Sequence, residues 1–484
     1  MYMTRTMYAA VALLLATTTM NAQQSVSLNI DVTTTAKVPT TTIVKGQSFT
    51  INSVTCDMSN PKGYNYILGI TMPDGQSQQI DLSETHQMPI AFSASNKDDY
   101  WYARSIRYSL PGLASMIDVY AMRNKAETSA NQAIGKVRSN ALAIEDPYLT
   151  SYINSLLVKI NPSQRLDFFK YNFKVVIVKD DEPNAGIYPN GALVINAGML
   201  ARIHTEDELV ALLCHEANHF ICNHFLDNLA KIQKREIAGA IGSAILGVAA
   251  GVLTGSASVG LSATSATMSI ASDLNALVTA MGLSFNQNQE KESDQAAFDL
   301  LPILGYDQNA MATCIKSIGD YYMEEGNLAA YYKSGSHPKI EDRIAATGIP
   351  YERRDTVFEK KMAPCVSYVA QVLYNKGRYT QALDLVDRNI GNGVGRGADH
   401  YIKGECLLAS QDSEESNASA RESLLKARET YSDGLATLKA LIVADIRLGM
   451  RDEARSLLAE FKELAGDKEE ERAWAEGMLM NIAQ

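Results

Sequence analysis

The chain has 484 residues, a hydrophobic fraction of 46% and a formal net charge of −11. That length calls for about two to four domains rather than one. The acidic balance argues against nucleic acid as the main partner, and none is expected.

The first 22 residues carry one charge, Arg5, ahead of an apolar core at 9–16, and Asn21-Ala22-Gln23 offers a small-residue cleavage site. Residues 1–22 therefore read as a secretory signal. No cysteine follows the core, which disfavours a lipid anchor. Residues 23–112 read as a small β domain, with a barrel as one candidate shape. Strand-like runs fall at 26–32, 48–54, 64–72 and 78–82, with Pro73-Asp74-Gly75 turning between the last two. From about Leu113 the pattern becomes helical. A helix is predicted over 142–157, interrupted near Asp146-Pro147. Strands are predicted at 173–178 and 192–196, joined by a turn-rich link at 184–191. A sheet edge beside the next helix suits an added substrate strand, and an ordinary core strand fits the same residues.

The central stretch is Leu213-Cys214-His215-Glu216-Ala217-Asn218-His219-Phe220. Residues four apart share a helix face, so His215 and His219 can aim both imidazoles at one point. Zinc takes such nitrogens and needs a third protein ligand, and Glu216 is placed to act as general base. Thr205-Glu206-Asp207-Glu208 reads as a capping box, and the predicted helix runs from Glu206 to about Lys234. Next come 36 uncharged residues, 237–272, with Gly247, Gly251 and Gly255 in a spacing that allows close helix packing. They form either a hairpin over the site, touching a membrane at most at its surface, or an inserted one. If His219 and Glu290 share one metal, a single span is excluded. Farther on, Glu290 and Asp294 share a helix face. Glu290 is the expected third ligand, with Glu292 as its competitor, and Asp294 can hold a ligand histidine by its second nitrogen. His224 is expected to pack behind the ligands. His337, in Ser336-His337-Pro338, is a candidate catalytic residue. It would cap the metal, stabilise the transition state, or lie on the surface. Six scattered cysteines give no CxxC, and a Cys365–Cys406 bridge is left open.

These pieces, over roughly 113–348, resemble the gluzincin metallopeptidases of the CAAX prenyl protease and HtpX type. The resemblance rests on Asn184-Ala185, the strand 193–196, Gly198, Glu208-Leu209, the HExxH, His224, the Glu290-x-x-x-Asp294 pair, Gly305-Tyr306-Asp307, and Ser336-His337-Pro338 with Arg343. It implies a zinc endopeptidase with ligands His215, His219 and Glu290, one zinc per chain, and protein or peptide substrates. Asp294, His224 and Arg343 would support the ligands. Asn218 and Gly186 depart from the family pattern. The tail, 349–484, carries Gly377-Arg378-Tyr379-Thr380-Gln381-Ala382 and a second Gly-to-Ala gap from Gly449 to Ala454. That pattern resembles tetratricopeptide repeats, with an insertion rich in Ser and Glu in the middle repeat. A signal, this peptidase and a repeat tail together resemble the periplasmic BepA-type peptidase–chaperones. The resemblance implies outer-membrane assembly partners reached through the tail. The expected fold is α+β: a mainly helical metallopeptidase domain at 113–348 with a small sheet, a β domain before it and a helical repeat domain after it. The alternatives are a chaperone-like binding protein whose zinc site is latent or plugged, and an integral membrane protease.

Overall fold

Alternating apolar residues build the first sheet, because every second side chain of a strand faces the same side. The structure is a computed structural model, and it describes residues 23–38, 41–57, 65–81, 88–107, 119–162, 173–228, 285–333 and 338–483. The signal segment, the uncharged stretch 237–272 and His337 lie outside the described residues. Strands β1 (Gln23–Thr34), β2 (Ser48–Asp57), β3 (Asn65–Thr71), β4 (Ser77–Asp81) and β5 (Ile90–Phe92) pair antiparallel in the order β4-β3-β2-β1-β5. Val26 lies opposite Val54, Ile30 opposite Ile51 and Val32 opposite Phe49, so one face is buried. The other face carries hydroxyl pairs such as Thr50 to Asp31 at 2.7 Å and Thr55 to Ser25 at 3.0 Å. Among the described residues β4 and β5 are edges that do not meet, so the sheet is open and the barrel is not formed.

The β reading to residue 112 also fails at α1 (Lys97–Arg107). Asn96 accepts from the Asp99 amide at 2.9 Å, and Asp98 and Asp99 suit the helix dipole in the first turn. The aromatic run Tyr100-Trp101-Tyr102 looks strand-like by composition but is buried from this helix. Trp101 Nε1 donates to the Ile160 carbonyl at 2.9 Å. After α2 (Val119–Ser139) comes α3 (Pro147–Ile160). Asp146 caps α3 and Pro147 occupies its first turn, so Asp-Pro starts a helix instead of interrupting one.

The second sheet is β6 (Lys174–Val178), β8 (Ala192–Asn196) and β7 (Ala185–Ile187), with β8 in the centre, parallel to β6 and antiparallel to β7. The predicted link thus contains the edge strand, and of the two readings of 192–196 the core strand is the one observed. Helix α4 (Ala197–Arg202) follows at once. A Cβ on Gly198 would stand 2.1 Å from the Asp181 carbonyl oxygen, so only glycine lets these backbones approach.

Helix α5 (Glu206–Ile221) is capped by Thr205 and is buried from Glu208 onward. It stops well short of Lys234. Asn223 adopts φ 53°, a left-handed conformation that ends the ladder, and a separate helical segment at 224–228 follows, up to the last described residue there. Helix α6 (Gln287–Leu304) starts from an Asn286–Gln289 capping box and ends on Gly305 at φ 83°. Helices α7 (Ala310–Glu324), α8 (Leu328–Lys333) and α9 (Ile340–Thr347) complete the central unit. No helix among the described residues is long and apolar enough to cross a membrane.

Glu208 illustrates what burial costs on α5. Burial pushes its carboxyl from the usual 4.5 up to about 7, against hydrogen bonds from Thr205 and the His204 amide. The folded chain then binds this proton more tightly than the unfolded one. Stability should therefore fall as pH rises from about 4.5 to 7, by up to about 3 kcal/mol at about 1.4 kcal/mol per pH unit. Glu208→Gln is expected to flatten urea midpoints across that window. A slope equal to wild type would show that the carboxyl titrates normally.

Seven helices form the tail: α10 (Thr356–Asn375), α11 (Tyr379–Gly391), α12 (Gly397–Ser410), α13 (Glu414–Thr430), α14 (Gly434–Arg447), α15 (Arg451–Ala465) and α16 (Glu469–Ala483). Helix α10 packs on α4, and each later helix packs on the one before it. The Ser- and Glu-rich residues at 413–416 cap and open α13 rather than forming an insertion. Gly404 is a close-approach site, since a Cβ there would meet Leu424 at 2.4 Å. The first tail helices share the central core: Phe358, Met362, Val366, Val386 and Ile402 belong to the same buried cluster as the second sheet. Polar ties reinforce the joint. Arg388 donates to the Ala201 carbonyl at 2.7 Å, and His204 Nδ1 lies 2.8 Å from Glu359. Cys365 and Cys406 are buried free thiols, and no disulfide joins them.

Candidate metal centre

Two buried helices place the site. On α5, His215 and His219 are one turn apart, and their Nε2 atoms lie 3.2 Å from each other. Glu290 enters from α6, with carboxylate oxygens 3.6 Å from His219 Nε2 and 3.9 Å from His215 Nε2. Because Asp294 meets His215 while Glu290 meets His219, the two helices run antiparallel. One donor atom from each of His215, His219 and Glu290 falls within 4.8 Å of the others, and all three residues are buried. Two tetrahedral ligands at about 2.0–2.1 Å from zinc are about 3.3 Å apart, close to the observed imidazole spacing.

Charge gives a second test of fit. Glu216, Glu290 and Asp294 are buried carboxylates, and Arg343 is the buried guanidinium among them. With neutral imidazoles the cluster carries two excess negative charges, which a divalent cation would cancel. The same excess shows in Glu216. Burial, together with the Glu290 charge, pushes its carboxyl up to about 7. One oxygen of Glu216 accepts from the Ile187 amide of β7 at 3.1 Å, which fixes the carboxylate beside the sheet edge. The donor set and the charge therefore fit zinc.

The outer contacts fix the imidazoles. Asp294 Oδ1 lies 2.9 Å from His215 Nδ1, and Arg343 grips both oxygens of Asp294 at 2.8 Å. Burial alone would raise the Asp294 carboxyl, but the Arg343 fork and His215 hold it well below the usual range. Arg343 also donates to the Tyr331 hydroxyl at 3.2 Å and approaches Glu290 at 3.7 Å. His219 stacks on Phe285, with ring centroids 3.6 Å apart. Its Nδ1 lies 3.0 Å from His224 Nδ1, and His224 Nε2 lies 3.4 Å from Glu292. Leaving His219 Nε2 bare for a metal puts its proton on Nδ1, donated to His224. Glu292, the competing ligand, faces His224 instead of the triad.

Motif reading did not find the Ile187 amide, the Phe285 stack or the partners of Asn218. Asn218 carried a signal, since a carboxamide in a buried helix turn must find hydrogen bonds. It is fully buried, accepts from Arg104 Nε at 2.7 Å and donates to Ser293 Oγ at 2.9 Å.

Residues 143–348 match the family model described as Peptidase family M48. That match spans a little under half of the 484 residues. The match holds both helices of the triad, the second sheet and Arg343. A beta-barrel assembly-enhancing protease of Escherichia coli is 27% identical over 270 residues, covering 52% of this chain and 50% of that protein. A protein of the same description from Yersinia pestis is 28% identical over 194 residues, covering 39% and 36%. A mitochondrial metalloendopeptidase of Schizosaccharomyces pombe is 24% identical over 197 residues, covering 40% and 51%. The chain thus spans about half the length, or less, of the curated relatives it matches. The matched region contains the buried His215/His219/Glu290 set.

Proposed function

We propose that this protein is a zinc endopeptidase of the CAAX protease/HtpX type, secreted to the periplasm, which hydrolyses misfolded or envelope proteins. The observation that carries the reading is the convergence of His215, His219 and Glu290 with Glu216 anchored beside them on the β7 amide. Zinc bound there would supply Lewis acidity to the scissile carbonyl and acidify water. Glu216 takes the proton of the attacking water and delivers it to the leaving amine. The peptide lies extended along β7, whose second edge has no strand partner among the described residues. Asp294 and Arg343 keep the His215 ring aimed at the metal, and His224 does so for His219. The tail is read as a repeat array that binds a protein partner. Helices beginning at Tyr379, Glu414 and Arg451 support this, each packed on its predecessor. The relatives named for β-barrel assembly support an outer-membrane assembly partner.

Metal analysis tests the centre. Purified protein is expected to hold one zinc per chain. Glu290→Ala should lose it, and Glu292→Ala should retain it. Equal loss in both variants would show that Glu290 is not the third ligand.

A further inference from the structure

Arg104 of α1 is a buried cation with 3% exposure, and it reaches two other helices. Its Nε donates to Asn218 Oδ1 at 2.7 Å. One terminal nitrogen donates to the backbone carbonyl of Glu292, and the other to the Tyr100 hydroxyl at 3.2 Å. Tyr100 in turn donates to Asp299 at 3.0 Å. Asn218 immediately precedes His219 on α5. Glu292 is two residues beyond Glu290 on α6. Asn218 also bonds to Ser293, the residue before Asp294. One guanidinium therefore touches both metal-binding helices within two residues of their ligands.

We propose that Arg104 is a positioning residue for the metal centre, setting the spacing and rotation of α5 against α6 through Asn218 and the Glu292 carbonyl. The inference rests on the zinc-centre reading. Its physical basis is that an apolar side chain of similar size would pack at least as well but could not bond the two helices to each other. The planar fork does what an apolar residue cannot. It bonds a side chain on one helix and a carbonyl on the other in fixed directions. Rotating either helix would break one of these bonds. The metal needs donor atoms held to a fraction of an ångström, so this restraint acts on its affinity. The cation comes from α1, which follows directly on the open β sheet, so that module contributes to the peptidase site without touching substrate.

The test uses the full chain stripped of metal, titrated with cobalt(II) and with zinc against a competing chelator. Arg104→Met and Arg104→Lys are compared with Trp101→Phe, which removes a hydrogen bond of the same helix to Ile160 without reaching Asn218. Arg104→Met should bind both metals about 10–100-fold more weakly and shift the cobalt d–d bands. Arg104→Lys should lose less, because a single ammonium cannot hold both acceptors in plane. It carries the test if the Met variant does not fold. Trp101→Phe should lower the unfolding midpoint while keeping wild-type metal affinity and spectrum. Wild-type affinity and spectrum in a folded Arg104 variant would overturn the proposal. So would an equal loss of affinity in Trp101→Phe, which would reduce Arg104 to a general packing role. A wild-type chain that binds neither metal would overturn the zinc reading itself, and this inference with it.

Discussion

Glu216→Gln is expected to cut peptide-bond cleavage by about two to four decades while leaving zinc content at wild-type level. The side chain keeps its shape but loses the basic oxygen. The remaining amide oxygen can still accept from Ile187, so the sheet edge should not move. Glu216 is not among the three converging donors, so metal retention follows. Casein or a quenched fluorogenic peptide gives the rate, and elemental analysis of the same sample gives the zinc. A variant retaining more than about a tenth of the activity would remove Glu216 from the chemistry. If wild type and variant are both inactive with zinc bound, the latent-site chaperone reading gains instead.

Arg343→Met should be the most destabilising single change near the site, at about 3–5 kcal/mol, with zinc affinity lowered about 10–100-fold. The guanidinium makes two 2.8 Å bonds to Asp294 and lies 3.7 Å from Glu290, all in the interior. Removing it leaves two neighbouring carboxylates unscreened, and His215 loses its fixed partner. The paired variant Arg343→Met with Asp294→Asn removes one charge of each sign. It should cost less stability than Arg343→Met alone, though zinc binding stays weak. Urea unfolding of the three proteins decides the matter. A loss below about 1 kcal/mol in Arg343→Met would mean that the pair is hydrated.

Local spacing made part of this site legible. The four-residue steps 215–219 and 290–294 each mark one helix face, and the two faces meet. The start of α5 was visible because its cap is local chemistry. The end of α5 was not, because it depends on one asparagine in a left-handed conformation. Strand β7 was hidden by its three-residue length among Asn, Gly and Pro, and it is held in place by β8 and Glu216. Helix α1 was misread because Tyr100-Trp101-Tyr102 has a strand's composition, while the contacts that decide it come from Ile160, Asn218 and Asp299. A pair such as Arg104 and Asn218, 114 residues apart, leaves no periodic trace.

The ligands themselves are divided by a long detour, since His219 and Glu290 are 71 positions apart. In the unfolded chain, bringing together two residues that far apart costs about 4 kcal/mol in chain entropy, besides a constant. During synthesis the two histidines emerge with no carboxylate to complete them. On the proposed peptidase reading, the nascent chain could not cut its neighbours, or itself, until α6 had been made and had docked. On that reading, order of emergence would itself act as a form of zymogen control.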